Sequence, residues 1–279
     1  MPPRRLRLDA ELVRRGVARS REHAIELISA GRVSVNGGVA GKPASGVTTD
    51  ADIVVRKDPA RPDYVSRGGH KLAGALADFG ALGLDVTGRR CLDAGASTGG
   101  FTDVLLRAGA AEVVAVDVGY GQLAWSLRQD PRVVVRDRTN VRDLTPELLE
   151  GLVDVVVGDL SFISLGVVLD ALLGVTSADG DLALMVKPQF EVGREKLPRG
   201  GVVRSLAHRA ESVEQVVAAA EQRGWGAVAA TVSQLPGPSG NVEFFVWLRH
   251  GPRTLDAQAI EEVVARSPDR GVPGEKVGP

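Results

Sequence analysis

The amino-acid sequence predicts an α/β fold in which a doubly wound, mainly parallel sheet follows a smaller α+β unit. Two observations predict the sheet: short Val- and Leu-rich runs without polar alternation, and helical patterns between successive runs. A third, the Pro- and Gly-containing stretch 56–69 without periodicity, predicts a boundary between the two parts. We expect a first domain at 1–60, a linker at 61–68, a second domain at 69–250 and a partly disordered tail at 251–279.

The composition argues against membrane spans, disulfides and metal sites. The chain has 279 residues, of which 44% are hydrophobic, and its mean hydropathy is +0.02. It contains no apolar run of about 18 residues, and its basic first residues lack the apolar segment of a signal peptide. A single cysteine excludes an internal disulfide, and four scattered histidines argue against a zinc site. We therefore expect a cytoplasmic protein that holds no metal and does not insert stably into membranes.

The first 60 residues predict two short helices and a small sheet. Apolar residues on one face indicate a helix over 8–16, and Ser20 is a suitable N-cap for a second helix over 21–30. The alternating segment 33–38 runs into an Asn-Gly turn, which is typical of a hairpin. A further strand over 52–55 completes the unit.

Positive charge is concentrated in this unit. Its 60 residues hold eleven Lys or Arg against seven Asp or Glu, whereas the whole chain has a net charge of −1. Clustered arginines indicate phosphate contacts, and a solvated surface is the alternative. The segment 7–47, with its Arg-Arg-Gly, Ser-Arg and Val-x-Val-Asn-Gly elements, resembles the RNA-binding domain first seen in ribosomal protein S4. That resemblance implies RNA contacts, which we expect from Arg4, Arg14, Arg19 and Arg21.

The segment DAGASTGGF, 93–101, turns from a buried strand into a helix through small residues, where a fold of this class binds its ligand. Asp117 ends the next strand, and a carboxylate there can accept hydrogen bonds from both hydroxyls of a ribose. The glycine spacing does not fit the G-x-G-x-x-G motif of dinucleotide sites, and Asp93 would repel a pyrophosphate. These observations indicate a nucleoside-containing cofactor without a pyrophosphate.

S-adenosylmethionine satisfies these conditions, since it carries an ammonium group and a ribose but no phosphate. Asp93 would suit the ammonium group, and Asp137, after the next strand, lies where the adenine amino group is bound in this fold. Each aspartate alone could instead be a cap or a turn former; their placement at successive strand ends favours the cofactor. We expect the cofactor to be bound by Asp93, Gly95, Ser97, Thr98, Gly99, Gly100, Phe101, Asp117 and Asp137.

Two lysines and two carboxylates are predicted to converge on the same edge of the sheet. Asp159 and Lys187 each follow a strand, Glu243 starts a late strand, and Lys71 lies on the helix that leads into the domain. The Asn/Asp-Pro-Pro-aromatic stretch that is typical of methyltransferases acting on base amino groups is absent after the fourth strand. The four residues resemble the Lys-Asp-Lys-Glu tetrad of FtsJ-type ribose 2′-O-methyltransferases.

The tetrad resemblance implies a role for each member. A ribose 2′-hydroxyl is a weak acid and must lose its proton as the methyl group is transferred. We expect Lys187 to be the base or the group that orients the hydroxyl, and Lys71 to be the second cation beside it. Asp159 and Glu243 would then hold the two lysines. Acid–base assistance of this kind contributes about 10²–10⁴-fold to a rate.

Nearly the whole chain, from about residue 6 to 250, resembles the TlyA-type family, once called haemolysins. The blocks that carry the resemblance are VSRGGHKL, CLDAGASTGGFTDVLL, VDVGYGQLAW, GDLSFISL, VKPQFEVG and GPSGNVEFF. It implies S-adenosylmethionine-dependent 2′-O-methylation of cytidine riboses in the rRNA of both ribosomal subunits, with rRNA or the subunits as partners.

Three alternatives remain open at this point. An RNA-binding assembly factor with little catalytic activity is disfavoured by the intact Asp93–Asp117 pair and the full tetrad. A membrane-lytic protein is disfavoured by the absence of apolar spans and by an aromatic content of 4%. A dinucleotide-dependent enzyme is disfavoured by the glycine spacing.

Overall fold

The computed structural model describes residues 5–56 and 62–268 and divides the chain into two compact units, 1–63 and 64–279. The division falls inside the segment 61–68 that the sequence predicts as a linker. Arg4 and most of the Pro- and Gly-rich end of the predicted tail lie outside the described residues. Within the described ranges, no helix combines the length and the apolar character needed to cross a membrane.

The first unit contains two helices that pack on short strands. Its described elements are β1 (Arg5–Arg7), α1 (Leu8–Arg14), α2 (Arg21–Ser29), β2 (Val33–Val35), β3 (Gly38–Val39), β4 (Gly46–Thr48) and β5 (Ile53–Val55). Strands β3, β2 and β5 form one sheet, and β1 pairs with β4. The buried side chains of both helices form a separate small core with Val33 and Val47.

The helix cap and the hairpin turn that the sequence predicts in this unit are both present. Ser20 Oγ accepts a hydrogen bond from the backbone N–H of His23 at 3.2 Å, which caps α2. Asn36 and Gly37 both have positive φ, 48° and 83°, and form the tight turn between β2 and β3. Strand β3 is the second arm of the hairpin that the Asn-Gly turn predicts, whereas β1 and β4 show no signal in the sequence, because three residues are too few to show a period.

The second unit alternates strands and helices. Its described elements are α3 (Gly68–Gly80), β6 (Arg90–Ala94), α4 (Gly100–Arg107), β7 (Glu112–Asp117), α5 (Trp125–Arg128), β8 (Val133–Asp137), β9 (Val153–Gly158), α6 (Leu165–Gly174), β10 (Thr176–Val186), α7 (Pro188–Glu191), α8 (Leu206–Glu221), β11 (Trp225–Val232), β12 (Phe244–His250) and α9 (Ala257–Ala265). Helix α9 lies in the segment predicted as a tail, and it buries Ile260 and Val264.

These strands form one seven-stranded sheet in the order β11-β12-β10-β9-β6-β7-β8. Strand β12 is antiparallel to both of its neighbours, and the other six strands are parallel to one another. Val186, the last residue of β10, pairs with Phe244, the first residue of β12. The start of β12 therefore lies at the edge where the parallel strands end, and this edge is where ligands bind in such sheets.

Apolar side chains cover both faces of the sheet. In β10, for example, Leu182, Leu184 and Val186 belong to one core, whereas Ala183 and Met185 belong to the other. The second core also contains Leu72 and Phe79 of α3, together with residues of α4. This two-sided burial explains why the strands read as unbroken apolar runs in the sequence.

Candidate active site

The charged candidates continue one face of the sheet. Two positions before or after a charged candidate, each strand carries an apolar residue that packs in the core containing α3 and α4. These residues include Cys91, Ala115, Val157, Met185 and Phe245. Since strand residues alternate between faces, the charged residues at this edge extend the same face. One stands within or directly beside each of six neighbouring strands, and across the sheet their order is Glu243, Lys187, Asp159, Asp93, Asp117 and Asp137.

Two lysine–carboxylate pairs occupy one half of this edge. Lys187 Nζ lies 2.5 Å from Asp159 Oδ1, and Lys71 Nζ lies 2.5 Å from Glu243 Oε2. Lys187 Nζ also donates a hydrogen bond to Ser161 Oγ at 2.9 Å. The fold thus brings all four residues of the predicted tetrad to the same edge, although they are widely separated in the sequence.

The two pairs differ in burial. The Lys71 and Glu243 side chains are 6% and 1% exposed, and Lys187 is 8% exposed, whereas Asp159 is 24% exposed. Gly237 lies against Glu243 so closely that a Cβ at this position would be 2.5 Å from Glu243 Oε1. The Lys71–Glu243 pair is therefore enclosed on both sides, and the Lys187–Asp159 pair reaches solvent through Asp159.

Glu191 connects the loops that follow β9 and β10. Ser164 Oγ donates to Glu191 Oε2 at 2.6 Å, and the backbone N–H of Leu165 donates to Glu191 Oε1 at 2.9 Å. Burial raises the pKa of the Glu191 carboxyl above its usual value. Glu191 thereby holds the loop that carries Asp159 to the segment that carries Lys187. The sequence does not indicate a role for this residue, because the pattern VKPQFE does not show what its glutamate contacts.

Phe162 is a further residue that the sequence analysis did not single out. Its side chain is 92% exposed and its backbone is left-handed, with φ 64°. Its ring lies 5.4 Å from that of Phe190, and it follows Asp159 and Ser161 in the same loop. A non-glycine residue held in this conformation beside charged groups is typical of a functional loop.

The other half of the edge begins with Asp93, which is fully buried. Thr102 Oγ1 donates to Asp93 Oδ2 at 2.7 Å, while Oδ1 is buried without a hydrogen-bond partner among the described residues. Burial raises the pKa of Asp93 to about 7, and the charges of Asp159 and Asp117 act in the same direction. A cationic ligand group at Oδ1 would relieve both effects.

Asp117 and Asp137 hold the loops around the neighbouring strand ends. Asp117 accepts hydrogen bonds from the backbone N–H groups of Ser97 at 2.8 Å and Gly119 at 2.7 Å. Asp137 pairs with Arg128 at 2.6 Å, and this pairing lowers the pKa of Asp137. Both aspartates are partly exposed, so a ligand can reach them.

The glycine-rich loop is shaped by the protein around it. Gly99 has φ 96°, and a Cβ there would lie 2.2 Å from a Leu127 side-chain carbon. A Cβ at Gly100 would lie 2.3 Å from Ser66 Oγ. Small residues are therefore required by the packing of neighbouring segments, in addition to any ligand.

The remaining members of the predicted cofactor set occupy different environments. Ser97 and Thr98 are exposed in the loop, and Gly95 has φ 85° at the end of β6. Phe101, by contrast, is 4% exposed and packs on Phe245, with ring centroids 5.9 Å apart. The Phe101 side chain is therefore part of the core below the loop.

The predicted RNA-binding arginines lie in the first unit. Arg14 pairs with Glu11, and Arg21 pairs with Asp9. The Arg14 and Arg21 side chains are still more than half exposed. The backbone N–H of Arg19 donates to His23 Nδ1 at 3.2 Å.

Among the residues that the structure describes, no group of three or more His, Cys, Asp or Glu side chains is arranged to hold a metal ion.

Comparison with known proteins agrees with this architecture. The family model described as FtsJ-like methyltransferase matches residues 64–250, and the S4 domain model matches residues 6–53. The 16S/23S rRNA (cytidine-2′-O)-methyltransferase TlyA of Mycobacterium tuberculosis is 58% identical over 269 residues, which cover 96% of this chain and 99% of the relative. Hemolysin A of Brachyspira hyodysenteriae is 35% identical over 86% of this chain and 98% of its own length.

A solved structure extends the agreement to three dimensions. The hemolysin-named protein of Streptococcus thermophilus is 38% identical and superposes with a TM-score of 0.72, over 94% of this chain and 95% of that one. The fold, the order of the two domains and the sequence similarity over almost the full length therefore agree. The chain belongs to the TlyA-type group of FtsJ-like methyltransferases, with an S4 domain preceding the methyltransferase domain.

Proposed function

We propose that this protein transfers a methyl group from S-adenosylmethionine to the ribose 2′-hydroxyl of cytidine in the rRNA of both ribosomal subunits. The observation that supports this most directly is the pair of lysine–carboxylate contacts beside Asp93 at the sheet edge. The name of the relative that is 58% identical supports the choice of nucleoside and RNA. Such a substrate would place the reaction in the cytoplasm.

The residues at the other half of the edge fit the cofactor. Asp93 Oδ1 is buried and has no hydrogen-bond partner within the described ranges, so it suits an ammonium group, and the partly exposed Asp117 suits the hydroxyls of a ribose. Asp137 is the candidate for the adenine amino group, since its Oδ1 has no hydrogen-bond partner among the described residues. When bound, the cofactor supplies an electrophilic methyl group on a positively charged sulfur.

In the proposed reaction, the 2′-hydroxyl would give its proton to Lys187 Nζ or, where Lys187 only orients it, to water, as its oxygen takes up the methyl group that the cofactor would supply. Lys187, whose partner Asp159 is 24% exposed, would contact the hydroxyl, as its base or as the group that orients it. Asp159 and Ser161 fix the position of Lys187 Nζ. Alignment of this kind contributes a large part of the rate enhancement for a bimolecular reaction.

The Lys71–Glu243 pair lies behind Lys187. Lys71 Nζ is 3.9 Å from Met185 Sδ, two residues before Lys187 on the same strand. If Lys187 acts as the base, it enters the reaction as the neutral amine, and the proton that it takes from the hydroxyl replaces the positive charge that the cofactor would lose with its methyl group. The total charge of the site therefore stays constant through the reaction, which limits the electrostatic cost in a partly buried environment.

Methyl transfer to purified ribosomal subunits tests the proposal. Small and large subunits that lack the modification are incubated with the protein and S-adenosylmethionine carrying a labelled methyl group. The labelled nucleoside is then identified after digestion, with Lys187→Ala as the matched control. We expect 2′-O-methylcytidine from both subunits. Tight binding of subunits and cofactor without transfer would favour an assembly factor, and label on a base would contradict the ribose assignment.

A further inference from the structure

The first unit contains an arrangement of arginines around a covered carboxylate. Asp9 has an exposed side-chain fraction of 0%, yet Arg7 and Arg21, which both contact it, are 52% and 57% exposed. Arg7 makes a two-point contact, Nε to Oδ1 at 3.0 Å and Nη2 to Oδ2 at 2.7 Å. Arg21 Nη2 donates to the same Oδ2 at 3.2 Å. Two cations are thus held side by side on one anion.

The neighbouring carboxylate of α1 is arranged differently. Glu11 also contacts two arginines, Arg14 and Arg15. Arg15 is only 22% exposed and donates further hydrogen bonds to the backbone carbonyls of Ala51 and Thr49. Its guanidinium group is therefore used within the fold. The cluster of Arg7, Asp9 and Arg21, here called the Asp9 cluster, is the one that presents two guanidinium groups to solvent.

Both arginines of the Asp9 cluster keep donors for a further anion. A guanidinium group has five N–H donors, and the contacts with Asp9 use only one side of each group. Among the described residues, Arg7 Nη1 and Arg21 Nε and Nη1 have no hydrogen-bond acceptor. A phosphate is the anion whose geometry matches such forked donors.

Surface stability alone does not explain the cluster. Asp9 is covered, so its two ion pairs have to offset the lost hydration of the carboxylate, and the two like charges on one carboxylate repel each other. The arrangement does, however, restrict the rotation of two long side chains before any ligand arrives. Side chains that are ordered in advance lose less conformational freedom on binding.

We propose that Asp9 is a positioning residue that presents Arg7 and Arg21 together to one phosphate of the RNA backbone. The proposal rests on the proposed function, because it takes rRNA as the ligand of the first unit. It adds Arg7 to the residues that contact RNA, and it assigns to an acidic residue a favourable role in binding a polyanion.

This role predicts that removal of the Asp9 charge weakens RNA binding, whereas the change in net charge alone would strengthen it. Removing an acid raises the positive charge of the unit, and counterion release would then tighten RNA binding. If Asp9 positions the two arginines, Asp9→Asn instead separates them and weakens binding. Asparagine keeps an oxygen that can accept from the Ala10 N–H, as Asp9 Oδ1 does at 2.8 Å, so the helix start is preserved.

The test compares Asp9→Asn with Asp52→Asn in the full chain. Asp52 lies in the same unit and is exposed, and its described hydrogen bonds involve only its backbone N–H and carbonyl groups. The Kd for a 16S rRNA transcript is measured at several salt concentrations, and thermal unfolding is recorded for each variant. We expect Asp9→Asn to raise the Kd about tenfold and to make its salt dependence shallower, while Asp52→Asn leaves the Kd unchanged or lowers it.

A native-like Asp9→Asn protein that binds the transcript as tightly as Asp52→Asn overturns the proposal. If Asp9→Asn unfolds at the assay temperature, Arg7→Lys decides, because it keeps the charge but lacks the planar fork. Weakening by about tenfold in Arg7→Lys supports the proposal, and an unchanged Kd overturns it. A wild-type chain that does not bind the transcript contradicts the proposed RNA binding itself, which separates the two failures.

Discussion

Lys187 and Asp159 follow two neighbouring parallel strands, and their side chains meet with Nζ 2.5 Å from Oδ1. The Lys71–Glu243 pair links helix α3 to the start of the antiparallel strand β12. The four residues thus come from four elements that only the folded sheet brings together. We expect loss of the Lys71–Glu243 pair to lower both stability and activity, and loss of Lys187 to lower mainly activity, because Asp159 is more exposed than Glu243.

Removing one member of the enclosed pair is expected to destabilise the second unit. Lys71→Ala would leave Glu243, which is 1% exposed, without its partner, and loss of a partner in a buried pair typically costs about 3–5 kcal/mol. Lys187→Ala leaves the more exposed Asp159, and we expect a cost below about 1 kcal/mol. Urea unfolding followed by circular dichroism measures both free energies.

The double variant Lys71→Met/Glu243→Leu is the control for this prediction. It replaces the pair by apolar side chains, so we expect it to recover most of the stability lost in Lys71→Ala while remaining inactive. Equal stability of Lys71→Ala and the wild-type chain would show that the pair is not enclosed in solution.

Cofactor affinity is expected to depend on pH through Asp93. Burial raises the pKa of this carboxyl to about 7, so the free protein holds a proton there at lower pH. An ammonium group binds the carboxylate form, so S-adenosylmethionine affinity should fall as the pH drops below about 7 and level off above it. Calorimetric titrations between pH 5.5 and 8.5 measure the dependence.

Asp93→Asn is the matched control, because it keeps the size of the side chain and its contact with Thr102 but cannot ionise. We expect this variant to bind the cofactor weakly and with little pH dependence. An identical pH profile in the variant and the wild-type chain would exclude Asp93 as the titrating group.

Glu191 is expected to act on turnover through the loop that it holds. Glu191→Ala removes the contacts with Ser164 and Leu165, so the loop carrying Asp159 loses its attachment. We expect kcat for subunit methylation to fall about tenfold with little change in the KM for S-adenosylmethionine. In Glu191→Gln, the amide can still accept from Leu165 and donate to Ser164, so most of the rate should return. A glutamine variant as slow as the alanine variant would show that the charge, and not the attachment, is needed.

The edge of the sheet could be predicted because strand ends are marked in the sequence. Apolar runs stop at Asp117, Asp137 and Lys187, and parallel strands that end together bring such residues together. The glycine-rich loop was recognisable for the same reason. These signals lie within a few residues of one another, and they do not depend on knowing the partner of any side chain.

Contacts between segments that are distant in the chain could not be predicted from the sequence. Glu191 and Ser164 are 27 residues apart, and nothing in either local pattern indicates that they meet. Arg21 was predicted to be available for RNA, but its partner Asp9 lies twelve residues earlier, and only the folded unit shows the pairing. Phe101 was assigned to the cofactor by its place in the loop motif, whereas its direction from the helix places the ring in the core.

The most direct test of the central claim is the single-turnover rate of methyl transfer to ribosomal subunits by Lys187→Ala, at saturating S-adenosylmethionine. We predict a loss of about 10²–10⁴-fold, with the fold, the cofactor affinity and the RNA affinity unchanged. Lys187→Arg should also be slow, because arginine stays protonated and has a different shape. A Lys187→Ala protein that methylates the 2′-hydroxyl at the wild-type rate would contradict the assignment of the reaction to this edge of the sheet.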